Sequence, residues 1–344
     1  MSRVWDVPVA DSTRVRDVRV AAEEASACAG LPPHRTATAA LVATELATNL
    51  LRHADDGHVI INLVESAQDR RTAVQLLSLD HGPGIPDVAQ AMRDGYSTAA
   101  TLGAGLGTCR RIANAFDLHS APGRGTVAVA RIDHEAAVRG ATPPHPRAGG
   151  VNVPLGRAEH SGDAWGRVAA GDRLTLLLAD GLGHGAKAAE ASTTAVAELP
   201  GVADRTPAEI LRHLGRALRP TRGAAVAVAQ VDCRSGRLHF AGIGNIGARL
   251  RTGGGWRPLL SHPGIVGAQA PATVPVRQEP WHDDSLLVLH SDGMPGRWVP
   301  PDDAVLLRCD PAVVAAVLLR DAGSAARPAG DDTCVVVLSG GAGA

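Results

Sequence analysis

The chain has 344 residues, 45% of them hydrophobic and 20% charged, enough for two domains of ordinary size that each bury a core. Its 34 Lys and Arg nearly balance 35 Asp and Glu, and only five Trp, two Phe and one Tyr are present, so no footprint for nucleic acid or an anionic membrane is expected. Five scattered cysteines without a CxxC pair read as reduced thiols, and with no apolar leader and no run of about 18 apolar residues the expectation is a cytoplasmic protein.

In chain order, Val4 to Val9 reads as extended. Val15, Val18, Ala22, Ala25 and Ala29 then recur at helical spacing, predicting a helix that Gly30 ends. A second helix is expected from about Thr36 to His53, after Pro32 and Pro33. GHVIINLVE and TAVQLLSLD read as strands, a helix starts near Gly105, and DLHS and GTVAVARI form a last strand pair. That order predicts an α/β sandwich with helices on one face of a mixed sheet.

Residues 135–150, EAAVRGATPPHPRAGG, are rich in Pro, Gly and Ala, lack apolar periodicity and read as a linker. Residues 1–134 and 151–344 are therefore the expected domains. In the second, VNVPLG and RLTLLLAD read as extended and Ala186–Leu199 and Pro207–Leu218 as helices. GAAVAVAQVD, GRLHFAGIG, ARLRT, SLLVLHSDG and CVVVL read as strands, most of them rich in Val, Leu and Ala, which suits two sheets with flanking helices.

In VATELATNLLRHA, Glu45, Asn49 and His53 fall four apart on one helix face, while Leu46, Leu50 and Leu51 are free to face a core. A carboxylate and an amide one turn apart suit activation of a nucleophile and a divalent cation on a triphosphate; taken alone, a solvated polar face is the simpler account. LLSLDHGPGI adds Asp80 at the end of an apolar strand, where a fixed carboxylate accepts a hydrogen bond from a base amine, with Gly82 and Gly84 allowing a tight bend. GAGLGT then opens a helix whose amides suit phosphates. Neither glycine cluster follows the dinucleotide-binding or P-loop pattern.

The ordered set ELATNLLRHA, DHGPGIPD, DGYST, GAGLGT and GRGT resembles the GHKL (Bergerat-fold) ATPase fold shared by gyrase, Hsp90 and histidine kinases. Within it, the set is most similar to the RsbT-like serine/threonine kinases of bacterial partner switching, over nearly all of residues 1–134. The resemblance implies Glu45 as the base near the accepting hydroxyl and Asn49 as a ligand of the Mg on ATP. Asp80 and Thr126 would read adenine, Gly82 and Gly84 would shape the pocket floor, and Gly103, Gly105 and Gly107 would meet the phosphates beneath a lid at about Gly95 to Leu102.

The second domain carries acidic residues beside small ones at SGDAWG (Asp163), LLLADGLGHG (Asp180, Gly181), VLHSDGM (Asp292) and GDDTCVVVL (Asp331, Asp332). Asp180 and Asp292 end apolar strands, where a charge needs compensation that a hard divalent cation supplies. One Asp-Gly pair after a strand is ordinarily a turn; four such sites point to a metal centre. GDAW, ADGLGHG, FAGIGNI, SDGM and DDTC resemble, in family order, the PPM-type metal-dependent phosphatases of the SpoIIE and RsbX branch, which implies an αββα sandwich. By that resemblance Asp163, Asp180, Asp292 and Asp331 are side-chain ligands of two Mn or Mg ions, and Gly181 lends its carbonyl; Asp332 is the weaker candidate. Cys334 stands where the family commonly has Thr.

The families resembled add phosphate to, and remove it from, Ser or Thr of STAS-domain proteins. The expectation is a bifunctional switch acting on STAS partners and, through them, on a sigma factor or stress response. The alternative is a phosphatase governed by a GHKL domain that binds ATP or a partner without transferring phosphate.

Overall fold

The Asp11 carboxylate starts the first helix by accepting the backbone N–H groups of Thr13 and Arg14. The computed structural model describes residues 3–54, 56–66, 71–92, 105–136, 146–323 and 330–341. The chain divides into two units, Val4–Pro143 and Pro144–Ala344, the latter also taking in Met1–Arg3.

In the first unit, β1 (Val4–Pro8), α1 (Ser12–Ala29) and α2 (Pro33–His53) precede β2 (His58–Glu65) and β3 (Thr72–Leu79). A short α3 (Val88–Ala91), α4 (Leu106–Ile112), β4 (Ala115–Ala121) and β5 (Gly125–Ile132) follow. Helix α2 begins at Pro33 rather than near residue 36, because a first-turn proline lacks only an N–H that would have no helical partner. Alternate residues Val59, Ile61, Val74, Leu76, Ala128 and Ala130 meet Val18, Ala22, Val42 and Leu46 of α1 and α2 in one core.

The strand order is β1-β2-β3-β5-β4. The expected mixed sheet is corrected: every strand pairing in it is antiparallel. The chain leaves β3 through α3 and α4 and returns in β4 at the edge, and β5 then turns back between them. The crossover that suggests a parallel pair therefore joins strands that are not neighbours.

The second unit contains β6 (Arg147–Val153), β7 (Asp163–Ala170), β8 (Arg173–Gly181), α5 (Ala186–Glu198), α6 (Pro207–Ala217), β9 (Ala224–Asp232) and β10 (Arg237–Ile243). Then come β11 (Gly247–Thr252), β12 (Gly255–Leu259), β13 (Arg277–Pro280), β14 (Leu286–His290), α7 (Pro311–Ala322) and β15 (Thr333–Ser339). They form two five-stranded sheets, β13-β10-β9-β8-β7 and β12-β11-β14-β15-β6. Along β8, Leu174, Leu176 and Leu178 face the second sheet, whereas Leu177 and Ala179 face the α5 and α6 side. Burial on both faces explains why these strands are nearly continuous apolar runs. Helix α7 packs on β6 and β15, completing an αββα sandwich.

The stretch 135–150 is only partly a linker. Arg147 to Gly150 begin β6, with Gly149 opposite Val337 and Gly150 opposite Val336 of β15. The Gly-Gly pair reads as flexible from composition, but a Cβ at Gly150 would lie 2.8 Å from the Val335 carbonyl oxygen and 3.2 Å from the Trp165 ring, so a larger residue would collide there. Residues 137–145 lie outside the described residues. No described helix is long and apolar enough to cross a membrane.

Candidate active sites

In the first unit, α2 buries Leu46 and Leu50 and leaves Glu45 and Asn49 half-buried, one turn apart. Burial raises the Glu45 carboxyl above its ordinary value, with Arg52 opposing. Burial also pushes the Cys109 thiol up to about 12, the Glu45 charge adding to it, so α4 stands beside the Glu45 face. Nδ2 of Asn49 is buried without a hydrogen-bond partner. An unpaired buried amide costs about 1–3 kcal/mol, which marks it as a position for a ligand, and rotation of the amide presents its oxygen equally.

Asp80 is 8% exposed, and its Oδ1 accepts the backbone N–H groups of Gly82 at 2.8 Å and Thr126 at 3.1 Å. The Thr126 hydroxyl lies 2.8 Å from that of Ser120. The turn at Gly82 packs against the His53 carbonyl, joining the Asp80 segment to the end of α2. Gly84 has φ 75°, and a Cβ there would lie 2.3 Å from the Ala121 oxygen, so only glycine fits. Gly105 caps α4 and Gly107 is buried in its first turn. Gly103 and the segment Gly95 to Leu102 lie outside the described residues.

In the second unit, Asp163 begins β7 directly opposite Asp180 of β8. Asp180 shares parity with Leu176 and Leu178, so both carboxylates stand at the end of the gap between the sheets. Asp163 is 1% exposed and both its carboxylate oxygens are buried without a hydrogen-bond partner, the Ser291 hydroxyl being a polar neighbour. Burial, then the charge of Asp180, raises the Asp163 carboxyl well above the usual range. Asp180 is pushed up to about 7 by burial first, and then by Asp292, Asp331 and Asp332. Asp292 is raised by burial and by Asp331. Among the described residues, no three His, Cys, Asp or Glu side chains are gathered closely enough to hold an ion as they stand.

The structure separates the two carboxylates of the DD pair. Asp332 is 4% exposed and uses both oxygens at 2.8 Å, accepting the N–H of Leu155 at one and that of Gly162 at the other. Asp331 is half-buried and accepts the Asp332 N–H at 2.8 Å. Asp332 is therefore a clamp on the Asp163 loop. At Gly181 a Cβ would lie 2.0 Å from the Ala188 carbonyl oxygen, so the backbone after Asp180 runs hard against α5.

Two neighbours escaped the sequence reading. Asn245 donates from Nδ2 to Asp292 Oδ2 at 2.6 Å. His290, two residues before Asp292, accepts the Trp298 indole N–H at Nε2 (3.0 Å) and donates from Nδ1 to the Ser291 carbonyl at 2.8 Å. Asn245 lies within the FAGIGNI motif, but nothing in that motif marked it as a partner of Asp292. Trp298 carries no sequence signal.

Residues 9–131 match the family model described as Histidine kinase-like ATPase domain, and residues 170–339 match Stage II sporulation protein E (SpoIIE). The chain joins a histidine kinase-like ATPase domain to a SpoIIE phosphatase domain. Over 84 residues the chain is 40% identical to the serine/threonine-protein kinase RsbT of Bacillus subtilis, covering 24% of this chain and 61% of that kinase. Among solved structures, it is similar to a chain from the bacterial stressosome (28% identity, TM-score 0.49, 57% of this chain and 100% of that one). RsbX in complex with magnesium is similar at 19% identity and TM-score 0.47, over 58% of this chain and 98% of that one.

The ATPase domain implies ATP and the SpoIIE domain implies metal ions. The residues present fit both. Asp163 offers two oxygens without a hydrogen-bond partner near the carboxylates of Asp180 and Asp292, hard oxygen donors of the kind divalent cations take. The ATPase domain offers the unpaired amide of Asn49 and an Asp80 carboxylate oriented by two backbone N–H groups.

Proposed function

We propose that the chain is a bifunctional partner-switching regulator: its ATPase domain phosphorylates Ser or Thr of STAS-domain proteins and its SpoIIE domain removes the phosphate, setting the output of a sigma factor or stress response. The observation that carries this reading is that both polar constellations occur in one chain: Glu45 and Asn49 on one face of α2, and Asp163 opposite Asp180, whose carboxyl also feels the charges of Asp292 and Asp331. Similarity to a serine/threonine kinase over 84 residues supports the choice of Ser or Thr as the acceptor. Tethering raises the effective concentration of each domain near the other's product.

In the ATPase domain, Glu45 takes the proton from the accepting hydroxyl; its raised pKa makes it a stronger base than an exposed carboxylate. Asn49 would hold the Mg that accompanies ATP, Asp80 with Thr126 would accept from the adenine amine, and the backbone at Gly105 and Gly107 would serve the phosphates. In the SpoIIE domain, Asp163, Asp180, Asp292, Asp331 and the Gly181 carbonyl would hold two Mn or Mg ions. When bound, such ions would activate a water and offset negative charge on a phosphoryl group. Asn245 orients Asp292, and Asp332 fixes the loop that carries Asp163.

The test silences the phosphatase with Asp292→Asn and follows γ-phosphate transfer from ATP to a STAS-domain protein of the same organism. Transfer that Glu45→Ala abolishes is the expected result. ATP binding without transfer to any of several STAS proteins leaves a phosphatase regulated by a nucleotide-binding domain.

A further inference from the structure

On the second sheet of the SpoIIE domain, four residues stand in one cross-strand row. Arg251 of β11 is opposite Leu286 of β14, Leu286 is opposite Ser339 of β15, and Ser339 is opposite Arg147 of β6. Residues directly opposite in antiparallel strands share a face. Their neighbours Leu250, Leu287 and Leu338 point into the core between the sheets, so the row points outward, to the side that α7 covers. It lines a cavity of about 270 Å³, walled further by Arg308 and, with exposed carboxylates, by Asp283 and Asp284.

Three polar atoms of the row are orphaned. Nε of Arg147, Nε of Arg251 and Oγ of Ser339 are all buried without a hydrogen-bond partner, and Ser339 is only 7% exposed. Buried polar groups in folded proteins are nearly always paired, and an exception calls for a cause. Here three residues from three strands line one cavity, and each brings a donor that neither the cavity's two carboxylates nor any other group accepts from. An oxyanion supplies several acceptors. Guanidinium groups arriving from two sides, with a hydroxyl between them, match tetrahedral oxygens better than a planar carboxylate, which pairs with a single guanidinium fork. The cavity exceeds the size of one phosphate group, and the two aspartates are placed to accept from the rest of the molecule.

We infer that this pocket binds a small phosphate ester whose body carries hydrogen-bond donors. It is separate from the acidic centre: Leu286 and His290 are the two ends of β14, about 14 Å apart at roughly 3.4 Å per residue, and Asp292 follows the far end. The site rests on no step of the phosphatase or kinase reading.

Inorganic phosphate is the probe, titrated into the metal-free full chain carrying Asp180→Asn, with broadening of the phosphorus resonance as the readout. Saturable binding is expected, weakened at least tenfold by Ser339→Ala and by Arg251→Gln. Arg234→Gln, which removes a surface arginine paired with Asp172, leaves it unchanged. Glycerol phosphate displaces the probe and glycerol does not. Equal binding in both pocket variants, no saturable binding, or failure of glycerol phosphate to compete overturns the proposal. If Arg251→Gln does not fold, Ser339→Ala, which deletes one oxygen, decides alone.

Discussion

Trp298 donates its indole N–H to Nε2 of His290, which leaves Nδ1 as the protonated nitrogen facing the Ser291 carbonyl. One bond thus fixes the tautomer of a ring that braces the chain just before Asp292. Arg249 stacks 4.6 Å from the Trp298 ring and holds the indole in turn. Trp298→Phe keeps the ring and removes the donor, so a loss of about 1–2 kcal/mol is expected in chemical denaturation. An unchanged midpoint would show that the bond contributes nothing.

Burial, with Arg249 nearby, lowers the pKa of His290 below its ordinary value. A base with a depressed folded pKa is neutral in the fold while the unfolded chain still takes up a proton. Its stability contribution is therefore present above about pH 6.5 and falls as the pH drops below it. Denaturation midpoints of the parent chain and of His290→Gln, compared between pH 7.5 and 5.5, should converge toward low pH.

Asp163 and Asp180 face each other across two strands, an arrangement that without a cation is repulsive. Asp180→Asn should raise the melting temperature of the metal-free protein while lowering metal-dependent release of phosphate from a phosphopeptide by roughly 100-fold or more. Loss of both stability and activity would mean that Asp180 is a structural residue.

Because Asp180 is raised to about 7, protons and cations compete for it near neutrality. Mn affinity should fall as the pH drops from 8 to 6, and calorimetry in buffers of different ionisation heat should show proton release on binding. In the metal-free protein the unfolded chain loses this proton first, so stability declines as pH rises from about 4 to 7. Flat profiles in both measurements would contradict the shift.

The Cys109 thiol is buried, and its pKa of about 12 makes thiolate scarce at pH 8. Brief alkylation of the native protein should modify the exposed Cys28 and Cys233 and spare Cys109 and Cys334, which react only after unfolding. Modification of Cys109 at native rates would mean that α4 opens readily.

What the sequence revealed depended on how local each signal was. Asp180 and Asp292 were visible because a carboxylate after Leu-rich strands is conspicuous, and Glu45 and Asn49 because helical spacing shows a shared face. DAWGRVAA did not read as a strand, so the register that sets Asp163 against Asp180 was invisible, although GDAW marked the residue. Helix α7, PAVVAAVLLRDA, is buried nearly all round and shows no amphipathic period. The short β12 and β13 lie at sheet edges, where Pro and charge dilute the pattern. The clamp made by Asp332 joins positions far apart in sequence, and no spacing rule reaches that distance.

Strand β15 lies between β14 and β6, so the last strand of the SpoIIE domain separates its first strand from the rest of their sheet. During synthesis, β6 emerges early but has no neighbour until residues 333–339 leave the ribosome. The ATPase domain, whose sheet is complete once Ile132 has emerged, is free to fold well before that. Asp331 arrives with the same late segment. A nascent chain therefore has its kinase-like half assembled while its phosphatase half still lacks both a closed sheet and a complete acidic centre, and the order of translation sets the order in which the two halves mature.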